Sequence, residues 1–144
     1  MKVILDANVY VSYLLARRST GSIIQVVETC MTNPQIELIV PPELLDEIRH
    51  TLLTKPYLRT RISSEDRTDL FEALRLVAHI PAPLIEILSL SRDPKDDYLL
   101  AHGLIEQADY LVTGDDDLLV LQRIDDLKIV SVPSFQSVLQ VEIG

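Results

Sequence analysis

The chain has 144 residues, 47% of them hydrophobic and 24% charged, with a single cysteine. That length points to one domain with a real core, and the apolar share excludes a disordered chain. One thiol excludes an intrachain disulfide and suits a reducing cytoplasm, while the formal net charge of −9 argues against a nucleic-acid partner unless something local offsets it.

The chain opens on Lys2-Val3-Ile4-Leu5, a short apolar run that predicts a buried strand ending at Asp6. An acid this early does not fit a signal peptide, and no stretch nears the roughly 18 charge-free apolar residues of a membrane helix. A helix is expected over Val9 to Ala16, closed by Arg17-Arg18, and a second over Ser22 to Met31. In the second, Ile23, Ile24, Val27, Cys30 and Met31 recur at helical spacing, and Ser22 with Gln25 resembles a capping box. Cys30 in that stripe reads as a core residue.

Ile36 to Val40 predicts the second strand. Pro41-Pro42 then opens a helix through Leu53, which Lys55-Pro56 breaks. Ser63-Ser64-Glu65-Asp66 starts a helix whose face is Leu70, Phe71, Leu74, Val77 and Ala78. His79 to Pro83 reads as a short strand or an extended linker, since its two prolines limit pairing. Asp93-Pro94 starts a helix to about Gln107, Tyr110 to Thr113 is a third strand, Lys128 to Ser131 a fourth, and Pro133 begins a last short helix. This alternation implies α/β architecture with a mainly parallel sheet and helices on both faces.

In such a sheet, ligands sit at the carboxyl edge of the strands. Asp6 and Asp115 follow strands directly and fall at that edge. Glu47 borders the Leu44, Ile48, Leu52 stripe of its helix, whereas Asp46 aligns with His50 and Leu53, away from it. Asp97 shares a face with Leu100, Ala101, Leu104 and Ala108 and points inward, with Asp93 and Asp96 as N-cap and third helical residue. No lysine or arginine accompanies the four acids at matching spacing. Such a cluster raises pKa values or recruits cations, and oxygen-only ligands suit Mg²⁺ or Mn²⁺. Two ions together can activate water and stabilise a leaving oxygen in phosphoryl transfer.

Plainer roles compete for each residue. Asp115 or Asp116 could cap the helix that follows, and Glu47 alone would be a solvated helix acid. Asn8 is either a helix N-cap or a residue orienting a ligand near Asp6. Thr113 is a strand residue or a donor to a carboxylate, and Ser12, one turn after Asn8, faces the site or packs. Asp6 is hardest to explain away, since an acid ending a buried strand needs a partner.

With these residues in hand, the chain resembles the PIN-domain family along nearly its whole length. The resemblance rests on Val3-Ile4-Leu5-Asp6-Ala7-Asn8-Val9, Pro42-Glu43-Leu44-Leu45-Asp46-Glu47-Ile48, Arg92-Asp93-Pro94-Lys95-Asp96-Asp97, and Asp109-Tyr110-Leu111-Val112-Thr113-Gly114-Asp115-Asp116-Asp117-Leu118. Each motif is short; their order and spacing together are specific. The chains it looks most like are bacterial and archaeal VapC-like toxins of type II toxin–antitoxin pairs.

The resemblance implies residues 1–144 as a single domain, an RNase H-like three-layer α/β/α sandwich with about five strands. It also implies Mg²⁺- or Mn²⁺-dependent cleavage of RNA, with two ions in the active complex and products bearing 5′-phosphate and 3′-hydroxyl ends. By motif, Asp6, Glu47, Asp97 and Asp115 are the acidic quartet, Asp117 an occasional extra ligand, and Asn8 and Thr113 supporting polar residues. A small antitoxin and a homodimer are the partners it suggests.

Arg49, Lys55, Arg59, Arg61 and Arg67 outnumber Glu65 and Asp66 by three, which offers a local answer to the acidic charge. Arg49, Lys55, Arg59 and Arg61 are therefore candidates to grip RNA phosphates, against the plainer reading of a solvated helical hairpin. Three rivals stand beside the nuclease. A haloacid-dehalogenase-like phosphatase also begins from an aspartate after strand one, but Asn8 replaces its second aspartate. A metal-free RNase needs histidine, and His50, His79 and His102 are scattered. An interaction module would keep the acids only for ion binding.

Overall fold

A computed structural model describes residues 1–17, 19, 21–85 and 97–143. Among these the order is β1 (Lys2–Leu5), α1 (Ala7–Leu15), α2 (Ser22–Thr32), β2 (Glu37–Leu38), α3 (Pro42–Thr54), α4 (Pro56–Arg61), α5 (Ser64–Val77), α6 (Asp97–Ile105), β3 (Tyr110–Val112), α7 (Asp116–Leu119), β4 (Arg123–Ile124), β5 (Leu127–Val130) and α8 (Val132–Glu142).

The strands form one sheet in the order β2-β1-β3-β5-β4. All neighbours are parallel except the β4–β5 hairpin. In β1, Val3, Ile4 and Leu5 have no exposed surface, and β3 is buried at every position. Successive strand side chains point to opposite faces, so a strand buried at every position is covered on both. The fold is therefore an α/β/α sandwich, as the alternation of elements predicts. The apolar residues of both faces belong to one core cluster.

Local chemistry sets the boundaries. Asp6, not Asn8, caps α1: its carboxylate accepts from the Ala7 N–H, and the helix starts two residues before the predicted Val9. The Ser22–Gln25 capping box does not form. Ser22 is already the first residue of α2, and its hydroxyl donates instead to Gln136 on α8. Ser63 does cap α5, accepting from the Asp66 N–H. Val77 is 49% exposed, so the predicted face of α5 reaches only as far as Leu74 in burying its large residues.

Pro56 ends α3 as expected, but it also opens α4, where its missing N–H costs nothing. His79 forms a single parallel bridge with Ile39, pairing on one side only. The β4–β5 hairpin was not expected. Its two-residue loop is Asp125-Asp126, with Asp125 at φ 51°, and lacks the glycine that usually marks such turns. Gly103 lets α6 lie close to β5; a Cβ there would stand 2.7 Å from a Leu127 methyl. The predicted roles of Asp93 and Asp96, and the Arg92–Asp96 part of the third motif, lie outside the described residues. No helix among the described residues is long and apolar enough to cross a membrane.

Candidate active site

Because β1, β2, β3 and β5 run parallel, their C-terminal ends share one edge, and α1 and α3 both begin there. Two backbone hydrogen bonds continue the ladder past the strand ends. The Asp6 N–H donates to the Val112 carbonyl at 2.9 Å, and the Thr113 N–H to Val130 at 2.9 Å. Asp6 and Thr113 are thereby fixed side by side. The Thr113 hydroxyl donates to Asp6 Oδ2 at 2.7 Å and accepts from the Asp115 N–H at 3.0 Å. Asn8 Nδ2 donates to the same Asp6 oxygen at 3.1 Å, while its Oδ1 accepts from the Gly114 N–H at 3.2 Å. Asn8 is thus a brace between the β1 and β3 ends. Thr113, fully buried, links two of the acids.

Asp6, Asn8, Ser12, Glu47 and Asp115 line one cleft of about 430 Å³ at this edge. Glu47 is half-buried there, whereas Asp46 is exposed and pairs with Arg49 at 3.1 Å, so the two acids lie on different faces of α3. Asp115 caps α7 by accepting from the Asp117 N–H at 2.9 Å, so its capping role coexists with a place in the cleft. Asp97 is 2% exposed, as expected, but it does not line the cleft. Its neighbour Tyr98 does reach the site's framework: the phenol donates to Glu47 Oε2. Asp117, half-buried, lies off the cleft wall as well.

Asp6 is 4% exposed. Burial pushes its carboxyl from 3.8 up to about 6; the Thr113 hydroxyl and the Ala7 N–H pull it down, and the negative charges of Glu47 and Asp115 push it further up. Among the described residues, no three acidic, histidine or cysteine side chains stand close enough together to hold one ion. The cleft is an open acidic wall, not a closed cage. Its chemistry still fits a hard cation: carboxylates from three separate segments face one space, and like charges so placed are relieved by a cation between them.

The basic residues divide. Lys55 lines the acidic cleft, so a cation stands beside the acids in space although none accompanies them at matching spacing in the sequence. Arg49 does not; it stacks 5.1 Å over the Phe71 ring and lines a separate groove between α3 and α5 with Arg67 and Arg75. Arg59 and Arg61 are exposed in the last turn of α4. Arg49, Lys55, Arg59 and Arg61 therefore do not form a single strip along the cleft. None of the three histidines lines it either: His102 bonds to Glu43, His79 to Glu106, and His50 is exposed. Cys30 is buried, with its thiol pushed up to about 12 by burial, the inert core residue expected.

Two aromatic residues at the site were missed. Tyr98 opens the apolar run Leu99-Leu100-Ala101, and hydrophobic patterning assigns such a ring to the core without registering its hydroxyl. Tyr57 also lines the cleft, and only its place two residues after Lys55 could have hinted at this.

A PIN-domain family model matches residues 2–117, a span that contains all five candidate acids. No curated protein sequence matches the chain. Among solved structures, it is similar to VapBC2 from Rickettsia felis, solved bound to a DNA fragment from their promoter. The TM-score is 0.59 and the identity 16%, over 91% of this chain and 98% of that one. That likeness supports the fold. With the family model spanning most of the sequence, the chain belongs to the PIN-domain family, which places it in the general class of nuclease hydrolases.

Proposed function

We propose that this protein is a divalent-metal-dependent endoribonuclease, the cytoplasmic toxin of a toxin–antitoxin pair, with residues 1–144 acting as one catalytic domain. The observation that carries the reading is the shared cleft of Asp6, Glu47 and Asp115, drawn from the ends of β1 and β3 and from α3. PIN domains generally use divalent ions, and an oxygen-only wall favours Mg²⁺ or Mn²⁺. In this reading Asp6, Glu47, Asp97 and Asp115 would hold two such ions, with Asp117 as an additional ligand. When bound, such ions would lower the pKa of an attacking water and stabilise charge on phosphate oxygens.

The chain's own residues prepare that chemistry. Thr113 and Asn8 fix the Asp6 carboxylate, Tyr98 holds Glu47, and the α7 turn orients Asp115. Lys55 offsets the negative wall where a phosphate would approach. The antitoxin part of the proposal draws on the sequence resemblance and on the similarity to VapBC2, an assembly bound to promoter DNA.

The test is incubation with single-stranded RNA in Mn²⁺ or Mg²⁺. Cleavage leaving 5′-phosphate and 3′-hydroxyl ends, abolished by EDTA, is expected. A 2′,3′-cyclic phosphate product, or activity surviving EDTA, would contradict it.

A further inference from the structure

The acidic cleft has one wall that its carboxylates do not explain. Lys55 sits at the junction of α3 and α4, and Tyr57 follows in the first turn of α4. Both line the cleft with Asp6, Glu47 and Asp115. Lys55 is the one basic residue among the described residues lining it. Leu58, next in sequence, is 1% exposed and seats α4 in the core, whereas the Tyr57 ring remains 53% exposed. A large ring half in water beside a carboxylate wall gains little from packing, yet α4 is anchored so as to keep it there.

We propose that Tyr57 is a nucleobase platform, and that Lys55 contacts the adjoining phosphate, so that the nucleotide beside the cleaved bond stacks its base on α4. This rests on the nuclease reading and adds a residue that sets which nucleotides fit. An aromatic face accepts any base, because every base presents a π-surface. A base inside a duplex has both faces covered and cannot use the platform. Discrimination between single and double strands therefore arises at Tyr57, while Lys55 contributes sequence-independent attraction.

The test is equilibrium binding of a labelled single-stranded RNA, and of its duplex, in Ca²⁺ to wild type, Tyr57→Ala, Tyr57→Trp and Lys55→Ala. Loss of a stacked base weakens binding roughly tenfold. Tyr57→Ala should lose about that much on the single strand, little on the duplex, with an unchanged salt slope. Lys55→Ala should weaken binding to both and flatten the salt slope by about 0.7. Tyr57→Trp should bind at least as well as wild type. Because the chain has no tryptophan, this variant also carries a unique fluorophore that stacking should quench. Equal losses on single strand and duplex, or a Tyr57→Trp variant as weak as Tyr57→Ala, would overturn the platform alone. Wild type that binds no RNA would overturn the platform and the nuclease reading together.

Discussion

Asp6 carries two burdens at once. Its carboxylate caps α1 and stands in the cleft wall, yet it is almost wholly buried with its carboxyl pushed up to about 6. The folded metal-free protein therefore holds the proton more tightly than the unfolded chain does. The resulting stability is fully present below pH ~4 and is lost as pH rises through about 6. A rise of this size corresponds to about 3 kcal/mol. Thermal melts of metal-free protein should accordingly fall between pH 5 and pH 7.5. Asp6→Asn, which keeps an acceptor for the Ala7 N–H, should flatten that fall while removing activity. A wild-type melting temperature as flat over the same window as the variant's would contradict this account.

At the scale of elements, the first turn of α3 is tied down from two sides. Glu43 accepts from the Leu84 N–H at 2.8 Å and pairs with His102 of α6 at 2.8 Å. His102 is 1% exposed. Burial raises the Glu43 carboxyl, but the Leu84 and own-backbone N–H bonds together with His102 more than offset it, so it lies below its ordinary 4.5. The contribution of this clamp is present above the ordinary carboxylate value and is lost as pH falls below it. Glu43→Ala strands a buried imidazole and should cost about 1–3 kcal/mol by denaturant unfolding. An unchanged midpoint would show that the clamp is incidental. On α4, replacing Arg59 and Arg61 together with alanine should weaken RNA binding and reduce its salt dependence, whereas an unchanged slope would assign both arginines to solvent.

The same scale shows what the sequence made legible. β1, β3 and the helix face that chooses Glu47 over Asp46 follow from periodicity alone. The connection of α3 to α4 through Pro56 was half visible, since proline marks both a stop and a start. The β4–β5 hairpin was not visible, because Asp125-Asp126 carries no glycine signal. Asp97 is buried, as its helix face predicts, but where it stands relative to the cleft depends on how α6 seats against β3. Spacing along a helix does not give that. Nor does it give the Tyr98 to Glu47 contact, which joins residues 51 positions apart.

Over the whole molecule, the −9 charge and the proposed RNA substrate are reconciled only if cations occupy the acidic edge. The cleft would then present neutralised carboxylates flanked by Lys55 and Tyr57, with Arg59 and Arg61 exposed on the same short helix. The groove holding Arg49, Arg67 and Arg75 lies apart from it, so basic residues distribute over two surfaces and not one. We propose that this acidic wall closes on divalent ions. Calorimetric titration of Mn²⁺ into wild type, Asp6→Asn and Glu47→Gln tests it most directly. Saturable binding by wild type, weakened at least tenfold by each substitution, is the predicted result; equal binding by all three, or none by wild type, would contradict it.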